Sequence, residues 1–197
     1  MRIFVTGGMG SGKSTLISYL ERKGAAIVFA DEVGHDNLLK PECRSALAKA
    51  FGKDILDAKG FVDRGALAAK AFATPQATAK LDAITQPLLY DECLARVRNL
   101  EKSHKVVVLE MAILDGRDDF YKNADIVVCV TANADLRIER LMAHRGVSRE
   151  DACNRVARQV PEQQRIGISD VVLTNDGTLE DFLRQIDDWW EGLNVTS

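Results

Sequence analysis

The chain has 197 residues, of which 46% are apolar and 28% charged, and its net charge is −3. These values are typical of one globular domain and exclude an intrinsically disordered chain. The slightly acidic balance argues against non-specific nucleic-acid binding, which usually needs a basic surface.

Five short segments are apolar almost throughout and rich in β-branched residues, which favours strands buried on both faces of a sheet. Helix-like stretches separate most of them, and this alternation predicts right-handed βαβ units in a parallel sheet. The fold class is therefore predicted to be α/β. The strand candidates are residues 2–6, 25–30, 105–110, 124–132 and 169–174.

Two helix-like stretches, residues 134–145 and 178–193, are clearly amphipathic. In the second, apolar residues from Leu179 to Trp190 recur at helical spacing, so this face is expected to pack on the sheet.

Residues 32–104 break the alternation, because they contain several helix-like pieces and no convincing strand. We predict a core formed by residues 1–31 and 105–197, and a helical insertion formed by residues 32–104. A second stretch without a strand, at about residues 146–168, is rich in Arg and Gln.

The chain shows no sign of a membrane or secretory destination. No apolar run approaches the roughly 18 residues of a membrane span, and a strand candidate begins too early to leave room for a signal peptide. The four cysteines lie far apart without a CxxC pair, so we expect reduced thiols and no zinc site. We expect a cytoplasmic monomer or small homo-oligomer with neither nucleic-acid nor membrane partners.

Residues 7–14 read GGMGSGKS and match the pattern G-x-x-x-x-G-K-S. A strand candidate precedes the match and a helix candidate follows it, as a phosphate-binding loop requires. The glycines let the backbone curl so that several N–H groups point inward, and the following helix adds its positive N-terminal dipole. We therefore predict that this P-loop holds the triphosphate of ATP.

The end of the P-loop has distinct expected tasks. Lys13 brings a full charge to the β- and γ-phosphates, Ser14 offers a hydroxyl ligand to Mg²⁺, and Thr15 contacts the α-phosphate. The nucleotide-binding residues predicted in the loop are Gly10, Ser11, Gly12, Lys13, Ser14 and Thr15.

Motors, GTPases and small-molecule kinases all share this loop, so the loop alone does not define the reaction. The chain lacks the N-K-x-D element with which a GTPase reads guanine, and a motor usually has a longer chain. The small size and the helical insertion favour a kinase of the nucleotide-kinase type. In such a kinase, residues 1–31 and 105–197 would form the nucleotide-binding core, residues 32–104 the acceptor-binding subdomain, and the Arg-rich stretch at about 146–168 a lid.

Asp31 follows the second strand candidate, at the edge where ligands meet parallel sheets. A carboxylate there can accept the proton of an attacking hydroxyl or help to position Mg²⁺. The alternative is an N-cap for a helix that starts at Glu32, and the two roles are compatible.

Several blocks, taken in order, resemble the dephospho-CoA kinase family. They are TGGMGSGKST, the aspartate after the second strand candidate, FGKDILDAKGFVDRGALAAKAF, RLMAHRGVSREDACNRVARQ and SDVVLTNDG. Each later block is weak alone, but their order and spacing with the P-loop cover nearly the whole chain. The resemblance implies a P-loop core of five parallel strands, a helical CoA-binding domain and a lid. It also implies transfer of the ATP γ-phosphate to the ribose 3′-hydroxyl of dephospho-CoA, the last step of coenzyme A synthesis.

The same resemblance implies roles for individual residues. The expected catalytic residues are Asp31, as general base, with Lys13, Arg140 and Arg145. The expected acceptor contacts are Thr6, Asp31, Arg64 and Gln86. Arg145, Asn175 and Gly177 are expected to contact the nucleotide, and Gln159 matches a lid glutamine. The family pattern also marks Phe51, Gly52, Asp63 and Leu67.

The chain departs from the family pattern at three places. Phe29 replaces the first acid of an Asp-Ala-Asp triplet, Gln86 replaces the histidine of a His-Pro pair, and residues 112–116 replace Pro-Leu-Leu-x-Glu. Glu110 and Asp115 are the candidates for the displaced carboxylate.

Two alternatives remain open at this point, a kinase of another small acceptor such as a nucleoside monophosphate and a non-catalytic nucleotide-binding regulator. Outside the catalytic set, we expect Arg137, Arg149 and Arg155 to lie on solvated helix faces.

Overall fold

The computed structural model describes residues 1–111 and 118–193. The chain divides into two compact units. The core unit comprises Met1–Ile27 and Leu100–Ser197, and the helical unit comprises Val28–Asn99.

The strands form one sheet of five: β1 (Arg2–Gly7), β2 (Ala26–Phe29), β3 (Val107–Glu110), β4 (Ile126–Thr131) and β5 (Val171–Thr174). Their spatial order is β2-β3-β1-β4-β5. β1 pairs in parallel with β3 and β4, and β4 pairs in parallel with β5. All five predicted strands and the α/β class are confirmed, with ends that differ by one or two residues.

The order of the strands decides which residues meet at the end of β1. Val5 lies opposite Glu110 of β3, and Thr6 lies opposite Cys129 of β4. β1 is buried from Ile3 to Gly7, in agreement with its nearly continuous apolar run. The P-loop therefore leaves the sheet from a central strand, with β3 on one side and β4 on the other.

The helices of the core unit cover the sheet. The helix predicted over residues 134–145 is confirmed at those bounds, and the one predicted over 178–193 begins with a capping box between Thr178 and Asp181. The expected contact of Leu179 with the sheet is wrong: as the first helical residue it is 62% exposed, and Phe182 and Ile186 form the buried stripe. The helices are α1 (Lys13–Arg22), α6 (Asp118–Tyr121), α7 (Ala134–Arg145), α8 (Arg149–Ala157), α9 (Glu162–Gly167) and α10 (Leu179–Gly192).

The helical unit has its own apolar core, formed by Cys43, Leu47, Ile55, Leu67 and Ala71. Apart from Val28 and Phe29 at the end of β2, its extended structure amounts to one antiparallel bridge between Leu56 and Val62. The helix-like pieces that the sequence shows within residues 32–104 lie in helices of this unit. Its helices are α2 (Ala30–Leu39), α3 (Pro41–Phe51), α4 (Arg64–Ala71) and α5 (Pro75–Leu100), with a 3-10 turn at Lys53–Ile55.

None of the helices in the described ranges is both long enough and apolar enough to cross a bilayer. All four cysteines are free thiols, three of them buried, as the sequence predicts.

Candidate active site

Two glycines shape the P-loop between β1 and α1. Gly10 and Gly12 have φ angles of +74° and +105°, a backbone region that other residues rarely adopt. A Cβ atom on Gly12 would lie 2.2 Å from Nδ2 of Asn175, and one on Gly10 would lie 2.7 Å from the carbonyl oxygen of Arg137. Both positions therefore require glycine for backbone conformation and for space.

Helix α1 begins at Lys13 directly after the loop. Its N-cap residue is Gly12, and none of the described side chains caps it. A helix start without a side-chain cap leaves N–H groups and a positive dipole available to an anion. Ser14, in this first turn, is an exposed residue. The helix start thus has the polarity and the free donors that a phosphate group needs.

The Lys13 side chain folds back along the loop. Its Nζ donates hydrogen bonds to the carbonyl oxygens of Gly7 at 2.9 Å and Gly8 at 3.3 Å, and it lies 3.7 Å from Oε1 of Glu110. Burial lowers the pKa of Lys13, Glu110 opposes this change, and Arg165 and Arg137 reinforce it. An entering phosphate would supply the strong acceptor that this partly desolvated ammonium lacks. The contact between Lys13 and Glu110 shows that Glu110, at the end of β3, is a carboxylate close to the loop.

Arg140 and Asn175 support the P-loop from its protein side. Nδ2 of Asn175 donates to the Ser11 carbonyl oxygen at 2.9 Å, and the Asn175 amide donates to the Thr131 carbonyl oxygen at 2.9 Å. Arg140 donates to the Asn175 carbonyl oxygen at 3.0 Å and to the Gly10 carbonyl oxygen at 3.3 Å. These two predicted site residues therefore hold the backbone of the loop in place.

Arg137 supports the loop as well, and the expectation of a solvated helix face is wrong for it. Its side chain is buried, with 5% exposure, and its Nε donates to the Met9 carbonyl oxygen at 2.9 Å. Its Nη2 donates to Oε1 of Gln159, which also accepts from the Met9 amide at 3.0 Å. Nη1 of Arg137 lies 3.8 Å from Oε2 of Glu162. The loop lies against this face of α7, and its carbonyl groups need donors there.

A sequence signal for Arg137 did exist. Arg137 and Arg140 are three residues apart on α7, a spacing that puts both on one face of a helix. Arg149, in contrast, is exposed and lies 3.8 Å from Asp135, while Arg155 pairs with Asp151 at 3.0 Å along α8.

The other predicted residues of the core unit occupy different environments. Thr6 is completely buried in β1, and its hydroxyl has no hydrogen-bond partner among the described residues. Arg145 is exposed in the last turn of α7. Gly177 precedes α10, where a Cβ atom would lie 3.1 Å from Oδ2 of Asp181. Asp115, like the whole of residues 112–116, lies outside the described residues.

In the helical unit, Asp31 lies in the first turn of α2 and is exposed. The capping alternative for Asp31 is wrong, because α2 begins at Ala30 with Phe29 as its N-cap residue. Arg64 is the first residue of α4 and is exposed, while Asp63 caps that helix by accepting from the Gly65 amide at 2.8 Å. Gln86 is half-buried in the long helix α5.

The donor set at the P-loop fits a magnesium ion. Within the described ranges, no three His, Cys, Asp or Glu side chains form a cluster that could hold a metal alone. Two oxygen donors accompany Lys13: Ser14 follows it in the chain, and Oε1 of Glu110 lies 3.7 Å from its Nζ. One or two protein oxygens, completed by phosphates and water, are the usual ligands of Mg²⁺ in nucleotide sites.

A central parallel strand, β1, leads through a glycine loop into a helix that starts with Lys-Ser. This arrangement defines a P-loop nucleotide-binding protein, and the solved structures that the chain resembles include kinases. A shikimate kinase from Bacteroides thetaiotaomicron shares the fold, with a TM-score of 0.53 at 14% identity over 99% of both chains. The model of the family CoaE, dephospho-CoA kinase, matches residues 1–181. The chain belongs to the dephospho-CoA kinase family.

Individual relatives agree with this assignment. A dephospho-CoA kinase from Corynebacterium glutamicum is 42% identical over 186 residues, which cover 92% of this chain and 91% of the relative. One from Geobacter sulfurreducens is 34% identical, covering 95% of this chain and 96% of the relative. Among solved structures, TT1252 from Thermus thermophilus has a TM-score of 0.79 and 27% identity, covering 100% of this chain and 98% of its own. The protein is thus a kinase, and the non-catalytic alternative finds no support.

Proposed function

We propose that this enzyme transfers the γ-phosphate of ATP to the ribose 3′-hydroxyl of dephospho-CoA, which gives coenzyme A and ADP. This reaction is the last step of coenzyme A biosynthesis. The observation that carries the proposal is a complete P-loop in a chain whose relatives include dephospho-CoA kinases that are 34% and 42% identical over most of its length.

Phosphoryl transfer demands positioning and charge stabilisation more than covalent help from the protein. Lys13 is bonded to two loop carbonyl oxygens, and it can exchange them for oxygens of the β- and γ-phosphates. The charge is only partly exposed, so its effect on the negative charge that spreads in the transition state is large. Arg137, Arg140 and Asn175 keep the loop in the shape that presents its amides to the nucleotide.

Ser14 and Glu110 are the residues that would hold Mg²⁺. When bound, the ion would neutralise part of the negative charge of the phosphates. Glu110 takes the place of the carboxylate that the departure at residues 112–116 removes from the family pattern. Its ion pair with Lys13, at 3.7 Å, directs it toward the loop.

Asp31 is the proposed general base, since its carboxylate is accessible in the first turn of α2. It would orient the 3′-hydroxyl and accept its proton as the bond to phosphorus forms. Arg64 and Gln86 are the proposed acceptor contacts in the helical unit, with Thr6 as a proposed contact from the core unit. Arg145 and Arg140 are proposed to neutralise negative charge on the phosphoryl group during its transfer. Gly177 is proposed to lie beside the adenine.

We also propose that residues 146–168 act as a lid that excludes water, which would otherwise compete as acceptor. A cytoplasmic location is supported by the four free cysteines, because proteins of oxidising compartments tend to pair theirs.

The acceptor is tested by measuring ADP release with dephospho-CoA and with nucleoside monophosphates at matched concentrations. Phosphorus NMR of the product should show a 3′-phosphate monoester on the CoA ribose. A Lys13→Ala variant is the control for contaminating kinases. Higher kcat/KM with any nucleoside monophosphate than with dephospho-CoA would contradict the proposed acceptor, although not the kinase class.

A further inference from the structure

Arg165 is a buried arginine that the sequence analysis does not single out. It lies in α9, which packs against β1 and β4, the strand that leads into the P-loop and its neighbour. Only 3% of the residue is exposed. Arginine is almost never buried to this degree without a partner, because its guanidinium is always charged.

The hydrogen bonding of Arg165 is incomplete. Its Nε has no hydrogen-bond partner among the described residues. Arg137 is buried to a similar extent, but it donates to Met9 and Gln159 and has Glu162 at 3.8 Å. A buried donor without an acceptor costs free energy, and a charged one costs more. The two neighbouring arginines therefore differ in kind, since one is satisfied by the protein and the other is not.

The charges around Arg165 are mainly of its own sign. Burial lowers its pKa most, and repulsion by Arg137 lowers it further, with a larger effect than the attraction of Glu162. The nearby thiol of Cys129 carries no charge at neutral pH, because burial raises its pKa to about 11. α9 packs against β1, which leads into the P-loop, and Arg165 is close enough to Lys13 for their charges to interact. Arg165 therefore lies in the region of the P-loop ammonium.

We propose that Arg165 is a phosphate-binding residue, whose guanidinium donates to oxygens of the β- or γ-phosphate of the nucleotide held by the P-loop. Among the described residues, the charged groups of this region are three buried or half-buried cations and two carboxylates, so positive charge is in excess. The cations are Lys13, Arg137 and Arg165, and the carboxylates are Glu110 and Glu162. The guanidinium fork matches phosphate oxygens and forms strong charge-assisted hydrogen bonds with them. The incoming anion would both balance the excess positive charge and satisfy the free donor. This inference rests on ATP binding, which belongs to the proposed function.

The proposal makes an unusual prediction for stability. Arg165→Met keeps the length of the side chain and removes its charge, so it should raise the Tm of the nucleotide-free protein, as removal of an unpaired buried charge does. The same change should weaken ATP affinity by about 10- to 100-fold, the range expected for charge-assisted hydrogen bonds. The affinity for AMP should fall by less than about threefold, because AMP lacks the β- and γ-phosphates. A purely structural arginine would give the opposite result, with a lower Tm and unchanged discrimination between ATP and AMP.

The experiment uses calorimetric titration of ATP and AMP, and thermal unfolding with and without ATP, on the full chain. Arg22→Met is the matched control, because Arg22 is exposed in the last turn of α1, outside the proposed site and lid, and should change neither quantity. Arg165→Lys keeps the charge without the fork and should give an intermediate ATP affinity. Arg165→Met with ATP affinity within about twofold of the wild type would overturn the proposal, as would a variant too unstable to fold.

The outcome is separable from the test of the acceptor. Nucleotide affinity is measured without dephospho-CoA. If the wild-type protein binds ATP but does not phosphorylate this acceptor, the ATP affinities of the wild type and the Arg165 variants can still be compared. Conversely, a variant that keeps full ATP affinity in an enzyme that phosphorylates dephospho-CoA would remove this inference and leave the proposed function intact.

Discussion

Arg137 and Gln159 hold Met9 of the P-loop between them. Arg137 donates to the Met9 carbonyl oxygen at 2.9 Å, and Gln159 accepts from the Met9 amide at 3.0 Å, while the two side chains also bond to each other. Arg137 comes from α7, and Gln159 follows α8. One residue of the nucleotide loop is thereby fixed on both sides of its backbone by segments more than a hundred residues further along the chain.

Arg137→Ala should therefore destabilise the protein and weaken nucleotide binding together. Loss of the guanidinium leaves the Met9 carbonyl without its donor, Oε1 of Gln159 with only the Met9 amide, and Glu162 without its nearby cation, at a cost of about 3 kcal/mol. We expect ATP affinity to fall as well, because the loop loses a fixed point. Urea unfolding and ATP titration measure the two effects. Arg149→Ala is the control on an exposed arginine, and equal stability of the two variants would contradict this reading.

Gly12→Ala should abolish ATP binding. The new Cβ would lie 2.2 Å from Nδ2 of Asn175, in a residue that also has a φ angle of +105°. Gly24 separates the two effects, since its φ angle is +90° but nothing lies within 4 Å of a Cβ there. Gly24→Ala should cost only about 1 to 2 kcal/mol in the free energy of unfolding and leave ATP affinity unchanged. Retained ATP binding in Gly12→Ala would show that the close approach of Asn175 is not needed.

Asp31→Asn should lower kcat by roughly 10² to 10⁴ and leave ATP affinity within about twofold, because the amide keeps the shape but cannot accept the proton. Glu32→Gln is a matched control, as Glu32 is the next residue in the same helical turn and is also exposed. Steady-state kinetics with dephospho-CoA measure kcat, and ATP titration measures affinity. Near-normal turnover of Asp31→Asn would leave the enzyme without its proposed base.

ATP affinity should fall at alkaline pH, and earlier than an ordinary lysine would predict. Burial lowers the pKa of Lys13 below its usual 10.5, so the ammonium is present below that lowered pKa and is lost as the pH rises through it. The stability of the nucleotide-free protein depends on pH in the opposite direction. Below the lowered pKa, burial of the charged Lys13 reduces the free energy of unfolding, and this cost disappears as the pH rises from the lowered pKa to 10.5.

Glu110→Gln sharpens this test, because Glu110 is the largest influence that keeps the pKa of Lys13 up. The pH midpoint of ATP binding, measured without Mg²⁺, should move to lower pH in this variant. Lys13→Arg should show no fall over the same range, since arginine stays protonated. An unchanged midpoint in Glu110→Gln would mean that the 3.7 Å contact between Lys13 and Glu110 has no electrostatic consequence.

Local sequence patterns were enough for the strands, the P-loop and the two amphipathic helices, since each depends on residues within one short segment. The contact of Lys13 with Glu110 could not be predicted in this way. It depends on β3 being the neighbour of β1, and strand order is a property of the whole sheet. The start of α2 was placed too late by two residues, because Phe29 and Ala30 continue an apolar run that reads as strand.

The arginines show the same limit more clearly. By residue type alone, nothing distinguishes Arg137 from Arg149 and Arg155. Arg137, on α7, contacts the P-loop, whereas Arg149 and Arg155, on α8, pair with aspartates. The spacing of Arg137 from Arg140 was a usable signal, whereas nothing local marks Arg165 as a buried residue. Burial of a charged side chain is decided by what packs over it, and no single segment contains that information.

The hydrogen bond between Asn175 and Ser11 spans 164 positions of the chain. A ribosome that has made the glycine loop must therefore complete almost the entire polypeptide before that loop gains its last support. Chains released early would carry the full phosphate-binding motif without the means to hold it open, so prematurely terminated products should not sequester cellular nucleotide.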